Sequence, residues 1–255
     1  MLSYRIKQWA AILKSTPLHP QWLLRFGRSS KRLLQQHSSG RTLDIGCADR
    51  WPETWLPQGC DYISLDYPAT GHELYGAHPD VFADAAALPF KAGKFDTVLL
   101  LEVLEHLQQP QTSLAEIARV LGPGGKLLLT VPFLYPMHDE PHDYQRYTRY
   151  GLMREIAAAG LEVEAIKPSL NSACSTGLLV NLALGGMLLA AIQKRSLALL
   201  LTPPIMLAVL LVNLLALCSG WLLPSWPAVT SGYNLIAYKN PREPRYVARK
   251  AASFS

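Results

Sequence analysis

Leu43-Asp44-Ile45-Gly46-Cys47-Ala48-Asp49-Arg50 reads as a short apolar strand that runs into a tight glycine turn just ahead of a helix. A strand end with its backbone amides free is a place where a nucleotide-like ligand docks. The three-glycine fingerprint that brings a backbone against a dinucleotide's diphosphate is missing, since only Gly46 remains. Hydride transfer with a nicotinamide dinucleotide is therefore disfavoured. The next apolar run, Tyr62-Ile63-Ser64-Leu65-Asp66, ends in an acid 22 residues after Asp44, with Tyr67 following it. An acid at such a strand end, with no other evident partner, can accept both hydroxyls of a ribose.

Outward from this stretch, residues 41–167 alternate short apolar runs with helical stretches, the pattern of a parallel sheet covered on both faces. Strands are expected near Thr42–Ile45, Tyr62–Leu65, Val81–Ala83, Phe95–Leu101, Lys126–Val131 and Leu161–Ile166. A helix is expected over Thr112–Leu121, ended by a turn at Gly122-Pro123-Gly124-Gly125, and another over Arg149–Ala159, ended by Gly160.

The 255 residues are 49% apolar and 17% charged, which excludes disorder and fibrous repeats. Cys47, Cys60, Cys174 and Cys218 form no close pair, so neither a disulfide scaffold nor a cysteine zinc site is expected. The net charge of +5 is unevenly spread: residues 1–41 carry eight bases and no acid, residues 42–167 carry eighteen acids against nine bases, and residues 168–238 carry only Lys194 and Arg195. Five bases and one acid follow from Lys239 onward. Basic flanks around an uncharged block point to an anionic membrane surface and not to nucleic acid, on which the apolar block would have no use.

The N-terminus is too often interrupted by Lys to be a secretory signal and reads as retained. Tyr4, Ile6, Trp9, Ile12 and Leu13 recur at helical spacing, which suits either an interfacial helix or one packed on its own domain. Residues 173–192 are free of charge, and a second apolar run reaches Leu223, broken by Pro203-Pro204. Each piece approaches the length of a bilayer core, about 30 Å, although two core helices of a soluble protein would look alike. Gly185-Gly186 and Pro203-Pro204 suit bent helices, so shallow seating is expected over full crossing.

Four segments in order and spacing resemble the class I S-adenosylmethionine-dependent methyltransferases, of the broad type-11 group: LDIGC (43–47), YISLD (62–66), DVFADAAALPFKAGKFDTVLLLEVLEHL (80–107) and EIARVLGPGGKLLLTVPF (116–133). The resemblance implies an α/β, Rossmann-like seven-stranded sheet with helices on both faces and an antiparallel last strand. Residues 232–239 look like that strand, which makes the apolar block a helical insertion before it. The domains expected are a basic N-terminal helical arm (1–40), the methyltransferase domain (41–167), the insertion (168–227), the last strand (228–240) and a basic tail (241–255). Carried over by position, Asp44 and Gly46, with Cys47 and Ala48, would line the methionine and ribose end of S-adenosylmethionine. Asp66 and Tyr67 would lie at the ribose, Asp84 and Ala85 at the adenine, and Leu101 and Glu102 at the sulfonium. The family's GxGxG is broken here, because Ala48 and Arg50 replace glycines; Arg50 is expected to point outward.

Residues 133–148 follow the fifth expected strand and form the candidate acceptor loop. Their HxxPxDYxRYT-type pattern (138–148) resembles a subgroup linked to surface-glycan and lipid-linked sugar pathways. His138 and His142 have the right ordinary pKa for a general base acting on a hydroxyl, and His106 is a weaker candidate. No metal is expected, since Pro141 breaks the helix that would align the two histidines. Asp139 and Asp143 are expected to cap turns and Arg146 to pair with an acid. The leading function is methyl transfer to a hydroxyl of a glycan, lipid-linked sugar or lipid, by an enzyme on a membrane with its catalytic domain on the cytoplasmic side. The alternatives are a soluble small-molecule methyltransferase and a cofactor-binding scaffold without turnover.

Overall fold

The structure is a computed structural model that describes residues 15–27, 30–69 and 78–241. The helix expected over Tyr4–Leu13 and almost all of the basic tail lie outside the described residues. Seven strands, β1 (Arg41–Ile45), β2 (Asp61–Asp66), β3 (Val81–Phe82), β4 (Phe95–Leu101), β5 (Leu121–Pro132), β6 (Glu162–Pro168) and β7 (Gly232–Tyr238), form one sheet. Their order is β3-β2-β1-β4-β5-β7-β6. The first five pair in parallel. β7 runs against β5: Lys239 exchanges backbone hydrogen bonds with Gly124 and Gly125, while Phe133 donates to Ser231. The central strands are buried on both faces, which is why they read as unbroken apolar runs such as Val98-Leu99-Leu100-Leu101.

Among the described residues five α-helices accompany the sheet: α1 (Ser30–His37), α2 (Pro110–Val120), α3 (Arg149–Ala158), α4 (Ser172–Gln193) and α5 (Thr202–Leu222). α2 starts two residues earlier than expected because Pro110 fits the first helical turn, where its missing N–H is no loss. The glycine turn expected after it is instead part of β5. Gly124 and Gly125 have their backbone groups taken up by Lys239, and the Lys239 ammonium donates to the carbonyls of Ala118 and Leu121. α3 is capped by the Thr148 hydroxyl, which accepts from Gly151 N, and is ended by Gly160 at φ +79°.

The chain divides into two compact units. The sheet unit comprises residues 30–131, 142–166 and the chain from Asn234 on, and the hairpin unit comprises residues 1–29, 132–141 and 167–233. These bounds differ from the expected domains. α1 lies in the sheet unit, where Leu34 packs with Leu99, Leu101, Leu128 and Ile236. Residues 132–141 and 228–233 group with the insertion.

Within the hairpin unit, α4 and α5 are both long and apolar enough to cross a membrane. Gly177 sets their approach, since a Cβ there would meet the Ala216 Cβ at 2.8 Å. Leu23, Leu170, Cys174, Leu178 and Ala216 make a small core. Asn181 and Asn213 are fully buried, the first donating to the second at 2.8 Å, and the Asn213 amide donates to Pro17 O at 2.6 Å. Most of the remaining apolar surface is open: Leu197 and Trp221 are each 86% exposed and Leu200 79%. α4 continues through Gly185-Gly186, and Pro203-Pro204 sit in the first turn of α5, where proline is tolerated.

Candidate functional site

β1 lies between β2 and β4, so the strand order reverses beside it, and the crevice outside the carboxyl ends of these strands is the expected ligand position. Four neighbouring strands bring the residues singled out above to that edge. β1 leads into Gly46–Arg50, β2 ends at Asp66, β3 leads into Asp84 and Ala85, and β4 ends at Leu101 before Glu102.

The turn after β1 takes its shape from left-handed backbone at Gly46 (φ +74°), Ala48 (+45°) and Arg50 (+61°). Gly46 is required twice over. Its φ favours glycine, and a Cβ would stand 2.4 Å from Val103 Cγ2. The amides expected to be free are engaged by the protein itself: Gly46 N and Cys47 N donate to Leu65 O, and Ala48 N donates to Asp66 Oδ2 at 2.9 Å. The expectation that Asp66 has no other partner is likewise corrected, because its Oδ1 accepts from Tyr67 N at 2.8 Å. The buried Cys47 thiol also donates to Oδ2, at 3.9 Å, so the second acceptor position left on this buried carboxylate is that of Oδ1. The two backbone bonds fix the carboxylate in place against the turn.

Asp44 is buried beneath the same turn, and the Tyr62 hydroxyl donates to its Oδ2 at 2.6 Å. Burial pushes its pKa up to about 7, against the opposing hydrogen bond of Tyr62, and the charge of Asp66 adds to the rise. Burial likewise pushes the Cys47 thiol up to about 12, which makes it an inert packing group and not a nucleophile. Asp84 is exposed and forms a turn, its Oδ1 accepting from Ala86 N, while Ala85 is buried. Leu101 is buried; Glu102 is exposed, with left-handed backbone (φ +56°) and its N–H donating to Thr130 O.

The histidines of the candidate acceptor loop fall in different compact units. His138 belongs to the hairpin unit, edge-on to the Tyr135 ring with Nδ1 at 3.3 Å from Pro136 O. His142 belongs to the sheet unit, its Nδ1 at 3.2 Å from the Tyr144 hydroxyl, which also accepts from Gln108. The segment from His142 to Arg146 lies on the turn that follows β4. His106 Nδ1 donates to His142 O at 2.7 Å, Tyr144 N donates to Glu105 O, and Gln145 donates to both Leu104 O and Leu107 O. Arg146 pairs with Asp143, as expected. His106 thus holds this segment in place.

Glu105 escaped the sequence reading. Its side chain is fully buried, and burial with the nearby Glu102 charge holds its pKa well above the usual carboxylate range. His106 Nε2 lies 3.7 Å from its Oε1. The signal available was an acid three residues after Glu102 and next to a histidine, in a segment read only as strand end.

The family profile described as "Methyltransferase domain" matches residues 20–166. A demethylmenaquinone methyltransferase of Renibacterium salmoninarum is 35% identical over 124 residues, which are 46% of this chain and 50% of that protein. A ubiquinone biosynthesis O-methyltransferase of Xanthomonas oryzae pv. oryzae is 30% identical over 132 residues, 48% of this chain and 54% of that protein. The chain therefore spans about half the length of these relatives. Among solved structures, the cyclase SpnF is similar with a TM-score of 0.50 and 20% identity, covering 84% of each chain, a likeness of fold alone. With a profile that takes in more than half of its residues, the chain belongs to the methyltransferase-domain family.

Proposed function

We propose that the protein transfers a methyl group from S-adenosylmethionine to a hydroxyl of a glycan, lipid-linked sugar or lipid at a membrane surface. The observation that carries the first half is the join between Ala48 N and Asp66 at the switch point of the sheet. It fixes a carboxylate, its Oδ1 with an acceptor position to spare, beside a turn that only Gly46 can make, and these fit a ribose and the methionine end of the cofactor. Asp66 accepts the ribose hydroxyls with Tyr67 beside it. Asp44, Gly46, Cys47 and Ala48 line the methionine end, Asp84 and Ala85 meet the adenine, and Leu101 and Glu102 border the sulfonium.

Bound S-adenosylmethionine supplies an electrophilic methyl on a positively charged sulfur. The chain's part is to align a hydroxyl in line with that carbon and to take its proton. With the donor bound, His142 or His138 would take the proton of the acceptor hydroxyl, and the chain would hold that oxygen in line with the methyl carbon, alignment being the larger contribution.

The membrane half rests on the hairpin unit, whose two helices carry Leu and Trp outward with no charge between residues 173 and 193, and on the basic residues at both ends of the chain. Both ends of the insertion join neighbouring strands, so it crosses a bilayer twice or not at all. The argument for shallow seating that the structure adds is Asn213, midway along α5, which donates to Pro17 O and His19 O in irregular chain, an arrangement that does not suit the centre of a hydrocarbon layer. Shallow seating in one leaflet, with the sheet unit on the cytoplasmic side, is the arrangement we favour.

The names of the relatives favour one other acceptor, a small molecule such as a quinone, with oxygen the methylated atom named for the ubiquinone relative. Incubating the purified protein with labelled methyl donor and membrane extract separates the two. Label in glycan, lipid-linked sugar or membrane lipid, resolved from quinones by chromatography, supports the proposal, and label only in quinones or other small molecules overturns its acceptor.

A further inference from the structure

Arg50 occupies a position where the family's loop has glycine, and it adopts the left-handed backbone that glycine would adopt at no cost (φ +61°). A bulky residue persists there only if its side chain compensates. The guanidinium bonds Glu53 Oε2 at 3.0 Å and Asp80 Oδ1 at 3.0 Å, and it lies over the Tyr62 ring at 5.2 Å. Asp80 is itself fixed to β2, its Oδ2 accepting from Ser64 N at 2.9 Å and from Ser64 Oγ at 2.7 Å. Tyr62 and Ser64 are two residues apart on β2 and so share a face. Arg50 thus ties the turn to the face from which the Tyr62 hydroxyl reaches Asp44.

We propose that Arg50 and Tyr62 are positioning residues for the cofactor turn, a clamp that presets the loop and the Asp44 carboxylate in place of the flexible glycines this chain lacks. The proposal rests on the reading that this turn holds S-adenosylmethionine. Isolated ion pairs at this exposure are worth little, but one guanidinium held by two acids and a ring is a network that fixes a backbone. The groups that face Asp44 are Tyr62 and Asp66 from β2 and Cys47 and Arg50 from the turn, and on the β4 side its register partner is the apolar Leu99. Of these, Tyr62 makes the direct hydrogen bond that favours the ionised carboxylate, so its removal leaves Asp44 protonated to higher pH.

The test is calorimetric titration of the full-length protein with S-adenosylhomocysteine between pH 6.5 and 8.5, with thermal unfolding of each variant alongside. Arg50→Gly, which restores the family's residue, is expected to weaken binding about fivefold or more while staying folded. Asp80→Asn, which leaves the turn's sequence untouched, is expected to weaken it in the same direction by less. Tyr62→Phe is expected to bind several-fold more weakly at pH 6.5 and to approach the unmodified protein at pH 8.5, a pH signature that a merely structural tyrosine would not give. Equal or tighter binding by Arg50→Gly, or a Tyr62→Phe loss that is the same at every pH, overturns the clamp alone. Failure of the unmodified protein to bind at any pH overturns the methyltransferase reading, and the clamp falls with it.

Discussion

Leucine does opposite things in the two compact units. In the sheet unit Leu99, Leu100, Leu128 and Leu129 are fully buried between strands and helices. In the hairpin unit Leu197, Leu200, Leu215 and Leu222 face outward, all more than half exposed, and the unit buries only a small cluster around Leu23 and Leu178. The polar groups differ in the same sense. The sheet unit collects carboxylates at one strand edge, whereas the hairpin unit hides a pair of asparagines between two apolar helices. A leucine in the first unit reports how the chain folds, and one in the second reports what surrounds the chain.

The comparison breaks most readily at these leucines. Leu128→Ala should cost roughly 2–5 kcal/mol of stability in denaturant unfolding, as is usual for a cavity in a packed core. Leu200→Ser, tested in the same way in detergent, should cost less than about 0.5 kcal/mol, as at an open surface. It should nevertheless lower the fraction of protein that sediments with anionic vesicles. A large loss of stability from Leu200→Ser would mean that the hairpin is packed core and that the second unit is no different in kind from the first.

Next in size is turnover. His142→Ala and His138→Ala should leave cofactor affinity nearly unchanged while at least one lowers the methylation rate by about 10²-fold, the usual worth of a general base. Since the two residues lie in different units, the outcome also says which unit supplies the base. Normal rates in both variants would make the histidines structural.

A smaller effect should appear in the pH dependence of the cofactor-free protein. Asp44 is raised to about 7 in the folded state by burial, so the folded chain holds a proton that the unfolded chain, at about 3.9, has released. The stability this group contributes is complete below its unfolded value and is lost as pH rises through about 7. Asp44→Asn should flatten that part of the profile in thermal unfolding between pH 5 and 8, whereas no comparable change is expected from the uncharged stretch of the hairpin. An unaltered profile would contradict the buried, protonated state of Asp44.

The strand positions were legible because buried parallel strands write themselves as apolar runs, and the runs at 95–101 and 62–65 fall within a residue of β4 and β2. The glycine turn after α2 was misread because local sequence cannot show that Lys239, more than a hundred residues away, takes up the backbone of Gly124 and Gly125. A proline pair reads the same inside a helix as in its first turn, and only the start of α5 places Pro203-Pro204 in the latter. At the site, residue types and order were visible, but the partners were not. That Ala48 N would claim an oxygen of Asp66, or that Glu105 would be sealed from water, depends on contacts between segments that the spacing of residues does not encode.

The central claim is that the edge of the sheet unit holds S-adenosylmethionine through Asp66, and titration calorimetry with S-adenosylhomocysteine tests it most directly. The account predicts one-to-one binding by the unmodified protein and, for a folded Asp66→Ala variant, binding weaker by about tenfold or more, since a charged acceptor of hydroxyl hydrogen bonds is removed. Absence of binding, or an affinity unchanged by Asp66→Ala, would contradict it.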